Sequence, residues 1–206
     1  MIKNVIFDVG NVLVNYRWRA LMEELGLSKD LQQIFDEKVF GSPWWGELDH
    51  GVMEESEVLV LLRGEIHGYE KEFDLIWDNR DKLVTPYPYS VPWIWALKKK
   101  GLKVYLLSNY PKSLFALHTE CGCFPFLNSV DGRVVSGYVK MIKPNPDIYQ
   151  YLLDQYQLKP TECVFLDDLE KNIETARAMR MKGIVFQSYE QASEELNRLI
   201  DQAQEK

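Results

Sequence analysis

Short apolar runs that end in polar residues divide this chain into candidate strands. Residues 5–7 are followed by Asp8, residues 104–107 by Ser108 and Asn109, and residues 164–166 by Asp167 and Asp168. Such runs, rich in branched and aromatic side chains, are typical of strands buried in a parallel sheet. In open α/β sheets, ligands bind beyond the carboxyl ends of the strands. The pattern therefore predicts one crevice that receives three carboxylates and a hydroxyl, a layout suited to catalysis.

After the first of these runs, the spacing of apolar residues becomes helical. From about residue 18 to about residue 83, apolar positions recur three and four apart, and no convincing strand is present. Gly26 is placed to end one helix, Ser28 to cap the next, and Gly64 to end a later one. We therefore predict a helical block over residues 17–83, inserted into a core formed by residues 1–16 and 84–206.

Alternation of helix and strand resumes near residue 91. Val134 and Val135 predict a short strand, and Asn145 followed by Pro146 predicts the start of a helix. Gly183 is placed to end a later helix, and residues 184–186 predict a further strand. The predicted fold class is α/β, with a Rossmann-like parallel sheet core and a small α-helical cap inserted after the first strand.

Composition narrows the function classes. The chain has 206 residues, of which 46% are hydrophobic and 27% charged, so a packed core is expected rather than disorder. The formal net charge of −7 argues against nucleic acid as a partner, since phosphate backbones need basic surfaces. A small anionic substrate remains compatible with it, because a local site can be positive on an acidic protein.

Cysteine usage and hydropathy predict the compartment. The three cysteines give no paired disulfide framework and suit a reducing environment. No signal-peptide pattern opens the sequence, and no apolar stretch reaches membrane-spanning length. We expect a soluble, cytoplasmic protein with no membrane partner, and the sequence leaves its oligomeric state open.

Four motifs together resemble those of the haloacid dehalogenase-like hydrolase superfamily, and the resemblance spans nearly the whole chain. They are FDVGNV at 7–12, LSN at 107–109, KPNPDIY at 143–149 and FLDDLEKNI at 165–173. Each motif is weak alone, since such residues are also common in turns and helix caps, but their order and spacing are specific. The most similar pattern is that of the sugar-phosphatase-like branch, which includes glucose-1-phosphatases with a Gly-Asn first motif. The predicted helical block stands where this family has its cap domain.

The resemblance implies a nucleophile and a metal site. Asp8 would attack phosphorus and form an aspartyl-phosphate. Asp8, the backbone carbonyl of Gly10 and Asp168 would bind Mg²⁺, which prefers hard oxygen ligands. Asp167 would stand behind these ligands or act on a bound water, and Asn172 would orient either Asp167 or Lys143.

The resemblance also implies a phosphate cradle. Ser108 and Lys143 would be catalytic, the first by hydrogen-bonding a transferring phosphoryl oxygen and the second by neutralising its growing charge. Backbone N–H groups after Asp8, at Val9 and Gly10, would complete the cradle together with Asn109. The implied partner is a small phosphorylated substrate.

One position departs from the family pattern. Most phosphatases of the superfamily carry a second aspartate two residues after the nucleophile, where this chain has Gly10. That aspartate supplies acid–base help, which is typically worth about 10²–10⁴-fold in rate. A leaving group that needs less protonation would tolerate its loss, so a sugar 1-phosphate is favoured as the substrate.

The helical block offers candidate specificity residues. Glu47 and His50 could supply the missing proton group, although surface positions in a loop are the simpler interpretation of both. Trp44 and Trp45 could stack on a sugar or pack within the block.

Three alternatives stay open. Gly10 permits a non-catalytic phospho-ligand binder, although a binder would not need Asp8 as a nucleophile. A 2-haloacid dehalogenase would share Asp8 and Lys143 but needs no metal, whereas this chain keeps Asp167 and Asp168. A phosphomutase relies on the second aspartate that is absent here.

Overall fold

The computed structural model describes residues 1–201, so the last five residues of the predicted core lie outside the described residues. Its strands are β1 (Asn4–Phe7), β2 (Val14–Tyr16), β3 (Val84–Pro86), β4 (Lys103–Ser108), β5 (Gly132–Val135), β6 (Cys163–Asp167) and β7 (Lys182–Val185). Five of them form one parallel sheet in the order β5-β4-β1-β6-β7. The predicted α/β class with a parallel sheet is confirmed.

The register of the central strands brings their polar ends together. Phe7 of β1 pairs with Leu106 of β4 on one side and with Leu166 of β6 on the other. The next residue, Asp8, donates its backbone N–H to the Leu166 carbonyl at 2.8 Å. Asp8 therefore emerges from the sheet at the same level as the ends of both neighbouring strands.

Helices cover both faces of the sheet and fill the predicted insert. They are α1 (Trp18–Glu24), α2 (Lys29–Phe35), α3 (Pro43–His50), α4 (Glu55–Glu65), α5 (Glu70–Asp78), α6 (Ser90–Lys99), α7 (Lys112–Glu120), α8 (Ser136–Val139), α9 (Pro146–Gln155), α10 (Glu170–Ala178) and α11 (Tyr189–Asp201). A π-helical turn, Asp36–Phe40, follows α2, and 3-10 turns occupy Arg80–Lys82, Leu127–Ser129 and Pro160–Glu162. Alternate β1 residues serve the two faces, since Phe7 lies in one apolar cluster and Ile6 in the other.

Local signals for helix ends were partly correct. Gly26 has a positive φ of 78° after α1, and the Ser28 side chain caps α2 by accepting from Leu31 N at 3.3 Å, as predicted. Gly64 does not end its helix but lies inside α4, where one glycine costs only about 1 kcal/mol. Gly183 does not end a helix either. It lies in β7, where a Cβ would stand 2.7 Å from the Ile173 side chain of α10, so the close packing of that helix favours glycine.

Helix α3 replaces the loop interpretation of its residues. Ser42 caps it by accepting a hydrogen bond from Trp44 N at 3.1 Å, and Pro43 occupies its first turn. This Ser-Pro pair is a helix start signal of the same kind as Asn145-Pro146. Glu47 and His50 consequently lie on a helix.

A short ribbon joins the two ends of the helical block. Strands β2 and β3 pair antiparallel, with Val14 opposite Pro86 and Tyr16 opposite Val84. Both chain crossings between core and block therefore lie side by side. The ribbon supports the division into 1–16 and 84–206 against 17–83, which we keep as a proposal.

None of the helices described within residues 1–201 is both long enough and apolar enough to span a bilayer.

Candidate active site

A cavity of about 380 Å³ lies between the carboxyl end of the sheet and helix α3. Strand ends and the loop before α9 form its floor. The residues that line it there include Asp8, Gly10, Asn109, Lys143, Asp168 and Asn172. The structure thus brings most of the sequence-predicted site residues to one place, as the parallel register requires.

The floor is organised around one buried cation. Lys143 Nζ lies 3.0 Å from Asp8 Oδ1 and 2.6 Å from Asp167 Oδ2, and its side chain is 1% exposed. Burial by itself lowers the pKa of Lys143, but the two carboxylates outweigh that effect and raise it. Burial raises the pKa of Asp8 to about 7, with Lys143 opposing the rise and Asp167 and Asp168 adding to it. The lysine thus stays charged and offsets part of the repulsion among the acids.

Asp167 is held by groups behind the cavity. Asn172 Nδ2 donates to both of its oxygens, at 2.9 and 3.0 Å, and Leu169 N donates to Oδ1 at 2.9 Å. Of the two roles that the sequence left open for Asn172, the contacts give orientation of Asp167. This aspartate in turn fixes Lys143.

Asn109 holds the backbone of the same lysine. Its Oδ1 accepts from Lys143 N at 2.8 Å, and its Nδ2 donates to Lys143 O at 3.0 Å. Both polar atoms of this side chain therefore position the loop that carries Lys143.

The acids offer oxygen atoms that suit a hard cation. Ligand atoms of Asp8, Asp167 and Asp168 all lie within 4.8 Å of one another. Because Asp167 is already bonded to Lys143 and Asn172, Asp8 and Asp168 are better placed to coordinate an ion. Asn11 Nδ2 donates to Asp168 Oδ2 at 3.2 Å, and burial raises the pKa of Asp168. The donor set fits Mg²⁺.

Two small groups complete the floor. The Val9 backbone N–H donates to Asp8 Oδ1 at 2.7 Å. Ser108 is fully buried at the end of β4, and its Oγ has no hydrogen-bond partner within residues 1–201. A buried hydroxyl without a partner costs free energy, and Ser108 is not among the described residues that line the cavity.

Residues missed by the sequence analysis form the opposite wall. Tyr110 Oη lies 2.6 Å from His118 Nδ1, and His118 Nε2 lies 2.8 Å from the Arg80 carbonyl. Since a carbonyl only accepts, Nε2 carries the proton, and Tyr110 Oη must donate to Nδ1. The Tyr110 oxygen therefore keeps its lone pairs for a donor. Tyr16 Oη is buried and, in the described chain, has no partner.

Asp49 is the acidic residue of the insert that lines the cavity. It follows Trp45, another lining residue, by one helical turn. Burial raises the pKa of Asp49 to about 7, the charge of Asp8 adds to the rise, and Lys143 opposes it. The i, i+4 rule applied to Trp45 would have selected Asp49 from the sequence.

The other predicted residues of α3 lie elsewhere. Among the described residues, those lining the cavity do not include Trp44, Glu47 or His50. Trp44 Nε1 instead donates to Glu65 Oε1 at 3.3 Å, which is a contact within the insert. Only Trp45 of the four predicted specificity residues faces the cavity.

Comparison with known proteins gives the family. A model of the haloacid dehalogenase-like hydrolases matches residues 2–180. The sesquiterpene phosphatase astK of Aspergillus oryzae is 26% identical over 186 residues, which are 88% of either chain. The D-ribitol-5-phosphate phosphatase of Bacteroides thetaiotaomicron is 27% identical over 198 residues, 87% of this chain and 89% of that protein.

Solved structures resemble the fold. A crystal structure of a HAD family enzyme from Bacteroides thetaiotaomicron, in complex with magnesium and inorganic phosphate, superposes with a TM-score of 0.70 at 24% identity. The match covers 92% of this chain and 96% of that one. With the family match over most of its length and an active-site-like arrangement at the sheet end, this chain belongs to the haloacid dehalogenase-like hydrolases.

Proposed function

We propose that the protein is a Mg²⁺-dependent phosphatase that hydrolyses a small phosphomonoester through an aspartyl-phosphate on Asp8. The observation that carries the proposal is the position of the Asp8 carboxylate, which faces the cavity with Lys143 Nζ at 3.0 Å and Asp168 beside it. The two phosphatases reported above are compatible with this activity. The expected compartment, from cysteine usage, is the cytoplasm.

The residues of the floor have different roles in the proposed reaction. Asp8 attacks phosphorus and the bond to the leaving oxygen breaks. Lys143 and the hydroxyl of Ser108 stabilise the charge that develops on the phosphoryl oxygens, and the backbone N–H of Gly10 adds a further donor. The backbone N–H of Val9 instead holds the Asp8 carboxylate. Asn109 contributes by holding Lys143 in place. Water then cleaves the aspartyl-phosphate and releases inorganic phosphate.

Asp8, the Gly10 carbonyl and Asp168 would hold the Mg²⁺ ion, with Asp167 and Asn172 behind them. When bound, the ion would neutralise phosphate charge that otherwise repels the Asp8 carboxylate. This acidic set favours phosphoryl transfer over dehalogenation, which has no use for a cation site.

A sugar phosphate is the proposed substrate, with a sugar 1-phosphate favoured. The cavity wall presents acceptors for hydroxyl groups at Tyr110 Oη and Asp49, and Trp45 offers an apolar face of the kind that packs on sugar rings. The relative that acts on D-ribitol 5-phosphate is compatible with a polyol-type substrate.

A terpenyl phosphate is the second candidate. The same cavity has apolar stretches at Val84, Leu114 and Ile142, and one relative is a sesquiterpene phosphatase. A terpenyl phosphate has fewer hydroxyl groups than a sugar phosphate and would form fewer hydrogen bonds with Tyr110 and Asp49.

The test measures hydrolysis of p-nitrophenyl phosphate, sugar 1- and 6-phosphates and farnesyl phosphate, with and without Mg²⁺. We expect metal-dependent turnover, highest kcat/KM on a sugar 1-phosphate, and a loss of at least about 10⁴-fold in Asp8→Asn. The matched control is Asp78→Asn, at an exposed position of α5, which should behave like wild type.

Each other outcome has a meaning. Equal or better activity on 6-phosphates rejects the sugar 1-phosphate preference. Highest activity on farnesyl phosphate replaces the sugar by a terpenyl substrate. A folded protein without turnover on any phosphate rejects the phosphatase and favours the binder.

A further inference from the structure

Breaking a phosphomonoester leaves a proton to be supplied. The departing oxygen of an alkyl phosphate is a strong base, and a positioned acid accelerates its departure. On the floor, Asp8 and Asp167 are both paired with Lys143, and Asp168 accepts from Asn11. None of these groups is free to deliver a proton from the side on which the leaving group departs.

Asp49 differs from all of them. It faces the floor from α3, across the cavity. Within residues 1–201 its carboxylate makes no hydrogen bond and no ion pair, although it is half-buried. A carboxyl group that is withdrawn from water but unpaired is well suited to exchange protons with a bound ligand.

The core, and not only the insert, fixes this residue. Ser136 Oγ donates to the Asp49 carbonyl and accepts from Tyr110 N, at 2.9 Å for the latter bond. Two residues further on, Gly51 lies against the backbone of Gly137, so close that a Cβ on Gly51 would stand 2.8 Å from the Gly137 oxygen. The end of α3 is therefore fastened to α8, which belongs to the core.

We propose that Asp49 is the general acid and base of the reaction, donating a proton to the leaving oxygen and later accepting one from water. The proposal rests on the phosphatase function proposed above. It assigns to the insert the proton transfer for which Gly10 has no side chain.

The two steps balance. In the first, Asp8 Oδ bonds to phosphorus, the bond from phosphorus to the substrate oxygen breaks, and that oxygen takes the proton of the Asp49 carboxyl to leave as an alcohol. In the second, water attacks the aspartyl-phosphate, Asp49 carboxylate takes one of its protons, and the bond from phosphorus to Asp8 breaks. Phosphate leaves, and both aspartates return to their starting forms.

The charges around Asp49 agree with this role. The charged and titratable groups that face it are Asp8 and Lys143 from the floor and the phenols of Tyr16 and Tyr110 from the sides. Burial and Asp8 together raise the pKa of Asp49 to about 7. An acid with a pKa near the working pH is populated in both forms, as a group that first gives and then takes a proton requires.

The experiment compares single-turnover cleavage of two substrates by Mg²⁺-loaded wild type and Asp49→Asn. One is the best sugar phosphate of the panel, whose leaving oxygen needs a proton. The other is p-nitrophenyl phosphate, whose leaving group departs as a stable anion. We expect Asp49→Asn to lower cleavage of the sugar phosphate by about 10²–10⁴-fold and the p-nitrophenolate burst by less than tenfold.

The second readout is the pH dependence of sugar phosphate cleavage. In wild type the rate should fall on the alkaline side of its pH profile, because the raised pKa of Asp49 keeps a proton on it near neutral pH and the residue loses that proton as pH rises further. This fall should be absent in Asp49→Asn and present in the Asp78→Asn control. With p-nitrophenyl phosphate, whose first step needs no proton, aspartyl-phosphate should accumulate in Asp49→Asn, since its second step lacks a base.

Several results would overturn the assignment. If Asp49→Asn loses equal activity on both substrates, Asp49 is a structural residue. If Asp49→Asn cleaves the sugar phosphate at the wild-type rate, Asp49 has no part in the reaction. A shifted pH profile in Glu47→Gln or His50→Gln, with none in Asp49→Asn, would transfer the role to those residues. In each of these cases wild type still hydrolyses phosphate esters and Asp8→Asn does not. The phosphatase proposal therefore stands even if the role of Asp49 is rejected.

Discussion

The floor of the cavity and the wall opposite it differ in how their charged groups are paired. On the floor, every charge has a partner: Lys143 bridges Asp8 and Asp167, and Asn172 and Asn109 hold that bridge in place. On the opposite wall, Asp49 has no partner and neither has the hydroxyl of Tyr16, within the described chain. The charged groups of the floor are thus paired with one another, whereas the acid of the opposite wall is unpaired.

This difference separates two tasks. A network in which the charged groups are paired keeps its geometry without a ligand, as preorganised electrostatic catalysis requires. Unpaired groups gain hydrogen bonds only when a ligand arrives, so they contribute to recognition and proton exchange. The comparison predicts that floor substitutions damage the fold as well as the chemistry, whereas substitutions in the wall mainly alter the chemistry.

The largest effect on stability is expected for Lys143→Met. It leaves the carboxylates of Asp8 and Asp167 buried without their cation, and breaking such a pair costs about 3–5 kcal/mol. Urea unfolding without metal at pH 8 measures the free energy of unfolding. Lys99→Met, at an exposed position of α6, is the control and should change it by less than about 0.5 kcal/mol. A loss no greater than that of the control would show that the floor is not a stabilising network.

A smaller loss is expected for Ser136→Ala. The Asp49 carbonyl loses a donor and Tyr110 N loses an acceptor, and leaving buried groups unpaired costs about 1–3 kcal/mol each. Ser113→Ala is the control, because in the described chain the buried Ser113 Oγ has no partner to lose. Sugar phosphate cleavage should fall more than p-nitrophenolate release in Ser136→Ala, since the proton donor is displaced. Equal stability of the two variants would contradict the fastening of α3 to the core.

The smallest effect is a change in the pH dependence of stability at His118. Burial lowers the pKa of His118 below its usual value near 6.5. Between the folded and unfolded pKa values the unfolded chain binds more protons, so this histidine's contribution is complete above about pH 6.5 and declines as pH falls. Subtracting the stability of His118→Gln from that of wild type between pH 8 and pH 5 should reveal this decline. A flat line for His118 would show that its ring is not held neutral against Tyr110.

Features that depend on neighbouring residues were predictable from the sequence. The Asn145 side chain caps α9 by accepting from Asp147 N at 3.0 Å, as Asn followed by Pro predicts. The acids and the hydroxyl at the strand ends meet because parallel strands in register end at one edge, which the three apolar runs already imply.

Features that depend on residues far apart in the chain were not predictable from the sequence. The ribbon of β2 and β3 has three residues in each strand, and its partners lie far apart along the chain, so periodicity had too few positions to reveal it. The helical spacing after Trp45 makes Asp49 a candidate, but its place across the cavity from Asp8 depends on how α3 packs against the core. Tyr110 gained its role from His118 and the Arg80 carbonyl, which three separate elements bring together.

The contact of Gly51 with Gly137 sets a condition for exchanging the insert between relatives. A helical block grafted onto this core would bring its own residue to the position of Gly51, and any side chain there would meet the Gly137 backbone. The grafted α3 would then lie farther from Ser136, and the acid at the position of Asp49 would lie too far from a bound substrate to exchange a proton with it. An exchange between relatives must therefore transfer the helical block together with the core residues Ser136 and Gly137.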